Sequence, residues 1–334
     1  MERRIKRTMS RCTLCPRACA VDRSRGQNGI CGQTETVKAA RAGLHMWEEP
    51  CISGSRGSGA VFFSGCSLHC VFCQNHNIAS GNAGYAVSIE RLSEIFLELA
   101  EKGANNINLV TACQFVPQII AALDRARARG LRLPVVYNTS GYEEAETIRM
   151  LDGYVDIYLP DLKYVDQAYS LKYSHAADYF EKASAAIGEM VKQIGEMTFT
   201  DEATKRERLL TAAYQERSGQ GESLLMTRGV IVRHLLLPGA LEDSKRVIAY
   251  LLETYGERIF ISMMNQYTPL PHASAYPELM RRVCSEEYEA LVEYALSLGI
   301  ENGFIQEGET AQESFIPEFD GEGIFPEEDT EEEK

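Results

Sequence analysis

From about residue 60 onward the chain alternates short β-branched or aromatic runs with segments of helical periodicity, and that alternation restricts the fold more than any other feature. GAVFFSG reads as a strand. In IERLSEIFLELAEKG, Ile89, Leu92, Ile95, Phe96 and Leu99 recur at helical spacing, Ser88 suits the N-cap and Gly103 the stop. NINLV predicts the next strand, and Pro117 opens a helix that ends near Gly130. LPVVYN, YVDIYLPD, GVIVRHLLLPG and RIFISMMN predict further strands, with helices near 143–151, 243–255 and 285–298. Strands buried on both faces read as continuous apolar runs, as these do. Six such repeats predict an α/β fold, a parallel (β/α)6 partial TIM-type barrel.

One connection breaks the rhythm. More than sixty residues separate DIYLPDLKY from the strand at Gly229. A connection that long carries its own helices or serves as a lid or binding surface, so a helical insertion over about 166–228 is expected, with helices around 177–195 and 202–217. The chain then divides into a Cys-rich metal-binding module (1–55), the barrel (56–310) and an acidic tail (311–334).

The formal charge is −14, yet the last eighteen residues carry nine acids and one lysine, which leaves the body only mildly acidic. Such a tail predicts a solvated, disordered end. With no basic stripe to neutralise phosphates, nucleic acid is not expected as a partner. MERRIKRTMSR lacks the apolar stretch of a signal peptide, and no run approaches the ~20 apolar residues of a membrane span, so a soluble, cytoplasmic protein without a membrane partner is expected.

In that compartment ten cysteines point to metal or redox work rather than disulfides. Cys51, Cys113 and Cys284 stand alone and are expected as small buried hydrophobes. Cys66, Cys70 and Cys73 share one loop with C-x3-C-x2-C spacing, which grips a metal centre without saturating it. A cubane iron–sulfur cluster held by three cysteines keeps one iron open. The alternative is zinc completed by His69 or His76.

The triplet, with the aromatic Phe72 before its third cysteine and its place after the first barrel strand, resembles the radical S-adenosylmethionine (SAM) superfamily. Within it, YNTSGY, DIYLPDLKY, VIVRHLLLPG and SMMNQY look like strand motifs of the branch related to the pyruvate formate-lyase activating enzyme. The N-terminal CTLCPRAC with Cys31 looks like a module that uncharacterised members of that branch carry. The resemblance implies a 4Fe-4S cluster on Cys66, Cys70 and Cys73 whose open iron binds the amino and carboxylate groups of SAM, with Phe72 beside the cofactor. It further implies an electron donor of flavodoxin or ferredoxin type.

Working residues of a parallel barrel sit at the C-terminal ends of strands. Thr111 follows NINLV where the superfamily often has a Gly-Gly-Glu turn; here VTACQ stands instead, leaving Thr111 or backbone carbonyls for the SAM ammonium. Asn138 and Ser140 offer donors and acceptors suited to ribose hydroxyls, or ordinary turn chemistry. Asp161 and Lys163 share a strand face. The resemblance assigns that pair to SAM, with a plain buried ion pair as the alternative. Arg233 lies mid-strand and needs a partner such as the SAM carboxylate or Asp161. His234 would face the helices, and Gln266 and Tyr267 would line the substrate side.

Cys12, Cys15, Cys19 and Cys31 form C-x2-C-x3-C-x11-C, a spacing that fits both zinc and a second, saturated iron–sulfur cluster; the need for reducing equivalents favours an electron-relay cluster. The resemblance implies SAM cleavage and hydrogen abstraction, with the glycine of a glycyl radical enzyme as target and hence a protein substrate. A radical enzyme modifying a small molecule or peptide would share every cofactor residue. A non-catalytic metal-binding or redox-sensing protein would account for both cysteine sets without SAM.

Overall fold

In a computed structural model of the chain, residue 5 and residues 8–202, 207–209, 224–306 and 317–326 are described. Among the described residues seven parallel strands pair in sequence order: β2 (Ser58–Phe63), β4 (Ile107–Val110), β5 (Val135–Thr139), β6 (Ile157–Pro160), β9 (Leu224–Leu235), β10 (Phe260–Met264) and β11 (Gly303–Ile305). The path begins at β11 and, past β2, ends in antiparallel β1 (Val37–His45) and β3 (Tyr85–Val87), so the barrel is partial. The helices are α1 (Ile89–Glu101), α2 (Val116–Ala128), α3 (Ala145–Met150), α4 (Gln167–Ser174), α5 (Tyr179–Ile194), α6 (Leu241–Tyr255) and α7 (Ser285–Ser297), besides single turns.

The signals behind this are local. Ser88 accepts a hydrogen bond from the Arg91 amide as N-cap of α1, and Gly103 adopts φ +87° just beyond its end. Leu92, Ile95, Phe96 and Leu99 are all at most 2% exposed, so the face read from their spacing packs onto the sheet, each buried side chain contributing about 1.5–3 kcal/mol. Inside the barrel Val136, Ile157, Leu159, Ile231 and Phe260 meet Cys51 and Ile52 from the turn Pro50–Ser53, with Phe199, Leu224 and Met226. This apolar plug fills the N-terminal end and leaves the C-terminal end for polar residues.

Four expectations change. Among the described residues the insertion is helical in α4 and α5; β7 (Thr198–Asp201) then pairs antiparallel with β9 and with β8 (Glu207–Leu209), so of the helix foreseen over 202–217 residues 207–209 form a strand, and 203–206 and 210–223 lie outside the described residues. The Thr-Phe-Thr alternation there has period two, and it turns Phe199 onto Phe260 at 5.7 Å between centroids. The sheet reaches back before residue 55, because Ala39–His45 pairs along β2.

The expectation of a disordered tail fails for residues 317–326. Gly321 donates its amide to the Ala40 carbonyl at 3.0 Å and Glu322 accepts from Ala42 at 2.8 Å, Ile324 is 2% exposed, and Phe319 packs on Phe62. The apolar residues within the acidic stretch, unweighted in a reading by net charge, supply the contact; residues 327–334 lie outside the described part. Cys284, expected buried, is exposed and caps α7, while Cys51 and Cys113 are buried.

Candidate functional site

The cysteine loop leaves β2 at Phe63 and is held in shape by backbone carbonyls. Gly65 turns it at φ +84°, where a Cβ would lie 2.4 Å from the Cys31 oxygen. Arg17 donates to the carbonyls of Ser67 (2.8 Å) and Ser174 (3.0 Å), and the Val71 amide donates to Tyr173 (2.9 Å). His69, at φ +54°, pairs its Nε2 with the Ile30 carbonyl at 2.9 Å. The result faces Cys66, Cys70 and Cys73 into one cavity at the C-terminal end of the barrel.

The same cavity is lined by Phe72, Thr111, Asn138, Ser140, Asp161, Lys163 and Arg233, so residues scattered over some 170 positions meet at one mouth. Phe72 packs edge-on against Tyr164 and Tyr267. Thr111 holds φ +59°, a costly conformation for a β-branched residue, with its amide on Asn138 O and its carbonyl accepting from Gln114 Nε2. Gln266 lines the cavity, but Tyr267 does not: it is 2% exposed and donates its hydroxyl to Leu279 O at 2.7 Å. His234 faces away, with Nδ1 on Leu162 O at 2.8 Å, and burial pushes its pKa down to about 4.

The charges form one network. Asp161 takes Lys163 Nζ on Oδ2 at 2.6 Å and Arg233 Nε on Oδ1 at 2.9 Å. Arg233 donates Nη1 to Glu48 at 3.0 Å and Nη2 to Asn138 Oδ1 at 2.7 Å. Glu48 also accepts from the amides of Asn138 (2.9 Å) and Asn108 (3.0 Å). Arg233 is therefore satisfied within the protein, by Asp161 and by Glu48, a residue that sequence reasoning missed. Burial opposes the ionisation of Asp161, yet Arg233 and Lys163 outweigh it and hold its carboxyl below the usual range. Glu49 turns its carboxyl inward toward Ser262, where burial raises its pKa to about 7. Both glutamates lie in the segment between β1 and the turn at Pro50, where no periodicity announces an inward face; only the acidic pair before a proline marks it.

The donor set fits a sulfur-ligated cluster. Cys70 Sγ accepts from Ser174 Oγ at 3.1 Å and Cys66 Sγ from the Leu68 amide at 3.4 Å, while His69 beside them has its Nε2 on the Ile30 carbonyl. Burial raises the thiol of Cys70 to about 11 and that of Cys73 to about 12, the latter helped by its neighbouring cysteines, so coordination must displace protons. Among the described residues no three histidine, cysteine or acidic side chains close on the point one ion would occupy.

Residues 60–204 match the model of the Radical SAM superfamily. The uncharacterized protein MJ0674 of Methanocaldococcus jannaschii is 25% identical over 297 residues, which cover 87% of this chain and 75% of that one. Streptococcus suis SuiB bound to S-adenosylmethionine aligns with a TM-score of 0.45 at 12% identity, over 73% of this chain and 48% of its own. A domain of pyruvate-formate lyase-activating enzyme from Bacteroides vulgatus aligns at 0.34 with 13% identity, over 57% of this chain and 91% of that domain. This chain thus spans about half the length of SuiB.

Proposed function

Because the chain carries a domain of the radical SAM superfamily, whose cofactors are a 4Fe-4S cluster and S-adenosylmethionine, we propose that it cleaves SAM reductively at the barrel mouth and abstracts hydrogen from a glycine of a partner protein. The observation that carries this reading is the convergence of three cysteine thiols with Phe72, Thr111, Asn138, Ser140, Asp161, Lys163 and Arg233 on one cavity. When bound, the cofactors supply one-electron cleavage to methionine and a 5′-deoxyadenosyl radical, the electron coming from a flavodoxin- or ferredoxin-type donor.

The protein's own part is to position and to exclude. Cys66, Cys70 and Cys73 would hold three irons of the cluster through their thiolates. Lys163 offers its ammonium to the carboxylate of SAM and the Thr111 carbonyl its second lone pair to the SAM ammonium, and Ser140 with Asn138 offers hydrogen bonds to its ribose. Phe72, backed by Tyr164 and Tyr267 packed edge-on behind it, keeps water from the reacting centre. Glu48 and Asp161 clamp Arg233, so the floor stays rigid while the cofactor enters.

A protein target is favoured over a small molecule by the rim. Leu44, Met46 and Trp47 stand 40%, 42% and 63% exposed where β1 leads into the cavity, and Trp47 itself lines it. Anaerobic reconstitution followed by assay for methionine and 5′-deoxyadenosine tests the chemistry: the wild type forms both with a strong reductant, and Cys70→Ala forms neither. Normal cleavage by Cys70→Ala defeats the site assignment. A glycyl radical signal on a partner after incubation tests the finer claim, and turnover of a free small molecule or peptide instead overturns it.

A further inference from the structure

Outside that cavity a second set of thiols lies beside a buried cation. The chain doubles back at Cys12, whose amide donates to Val21 O (3.1 Å) and whose carbonyl accepts from Ala20 (2.9 Å), while Ala18 and Ala20 take left-handed conformations at φ 40° and 55°. Two strained alanines in three residues mark a turn that its surroundings impose. Gly29 faces the thiols: a Cβ there would lie 3.2 Å from Cys31 Sγ and 3.5 Å from Cys19 Sγ. Met9 and Leu14 pack with Cys12, Cys19 and Val21, so the surroundings are apolar.

Within this pocket Arg23 is only 1% exposed. Its Nε and Nη2 donate to Thr34 O at 3.1 and 2.6 Å, its Nη1 to Gln114 O at 2.7 Å, and its plane lies over Phe115. Nη1 also stands 3.6 Å from Cys12 Sγ. Among the described residues no carboxylate pairs with it. Carbonyls satisfy its hydrogen bonds but not its charge, and an uncompensated buried cation is strongly unfavourable. The remaining candidates for a counter-charge are the cysteines.

We propose that Cys12, Cys15, Cys19 and Cys31 hold a tetrathiolate metal centre of net negative charge, with Arg23 as its buried counter-ion. Zinc and a saturated iron–sulfur cluster share that chemistry, since either becomes an anion once four thiols have released their protons to solvent and bound. No three of these donors close on one point, so a single ion would require the thiols to move inward. The centre also shares backbone with the first site: the Cys31 carbonyl sits against Gly65, and Gln114 donates Nε2 to the Ser64 and Gly65 carbonyls.

The triple variant Cys66→Ala, Cys70→Ala, Cys73→Ala isolates this set and separates its failure from that of the proposed reaction. After anaerobic preparation, metal analysis and native mass spectrometry give either iron with sulfide and visible absorption, or one colourless zinc per chain; a folded variant holding neither overturns the proposal. Should the variant not fold, the intact wild type is weighed instead, and a mass with one cluster and no further metal overturns it too. Arg23→Met tests the counter-ion. Loss of metal to a chelator accelerates about tenfold or more, as for other groups that orient a metal's ligands. The gap in Tm between loaded and metal-free protein shrinks, because the metal-free form sheds an unpaired buried charge, and Arg23→Lys restores part of the gap. An equal fall in Tm for both forms shows mere packing and refutes the pairing.

Discussion

Glu49 gives a perturbation whose sign and size follow from its surroundings. Its backbone, at φ −48° and ψ 142°, has the extended conformation that a following proline demands, and this turns the carboxyl inward toward Ser262 near Arg233. Burial raises its pKa from 4.5 to about 7, against the pull of Ser262 and Arg233, with Glu48 and Asp161 adding to the rise. A raised carboxyl pKa means that the folded chain holds the proton more tightly than the unfolded one. Its contribution to stability is therefore fully present below pH 4.5 and is lost as pH rises through about 7. At about 1.4 kcal/mol for each tenfold difference in proton affinity between folded and unfolded chain, the loss reaches up to about 3 kcal/mol. Glu49→Gln mimics the protonated acid. It should exceed the wild type by less than about 1 kcal/mol at pH 5 and by up to about 3 kcal/mol at pH 8. Glu143, raised to about 7 in the same way, is present in both proteins and cancels in the difference. Urea midpoints of the two metal-free proteins at pH 5, 6, 7 and 8, with unchanged m, measure it. A difference that is constant with pH, or a variant less stable at pH 8, refutes the reasoning.

Other residues give sharper structural tests. Glu48→Ala strands Arg233 Nη1 and the amides of Asn108 and Asn138, at a cost of about 3–5 kcal/mol in denaturant unfolding; Glu48→Gln should lose clearly less, and equal losses would show that the charge is irrelevant. Gly65→Ala drives a Cβ into the Cys31 carbonyl at φ +84° and should lower the iron retained after reconstitution; unchanged iron content contradicts the contact. Ile324→Ala should cost about 2–4 kcal/mol in thermal unfolding, whereas a solvated tail would give under about 0.5 kcal/mol.

The sequence by itself determined what depends on neighbours in the chain. Period 3.6 in α1, the Ser88 cap and the continuous apolar runs of β2, β4, β5 and β6 report local burial, and they suffice for an α/β barrel with its cysteine loop after β2. Because strand ends line the mouth of such a barrel, the places of Asn138, Asp161, Lys163 and Arg233 around the cavity were also legible. Only the tertiary structure decided how the charges are shared. Arg233 is satisfied by Glu48, 185 positions away, and Arg23 lies 3.6 Å from the Cys12 thiol with no carboxylate paired to it among the described residues. It likewise decided that Ile324 and Phe319 seat an acidic segment on β1. Pairings of that range leave no periodic trace, since their free energy arises from excluding water around groups that the fold alone brings together.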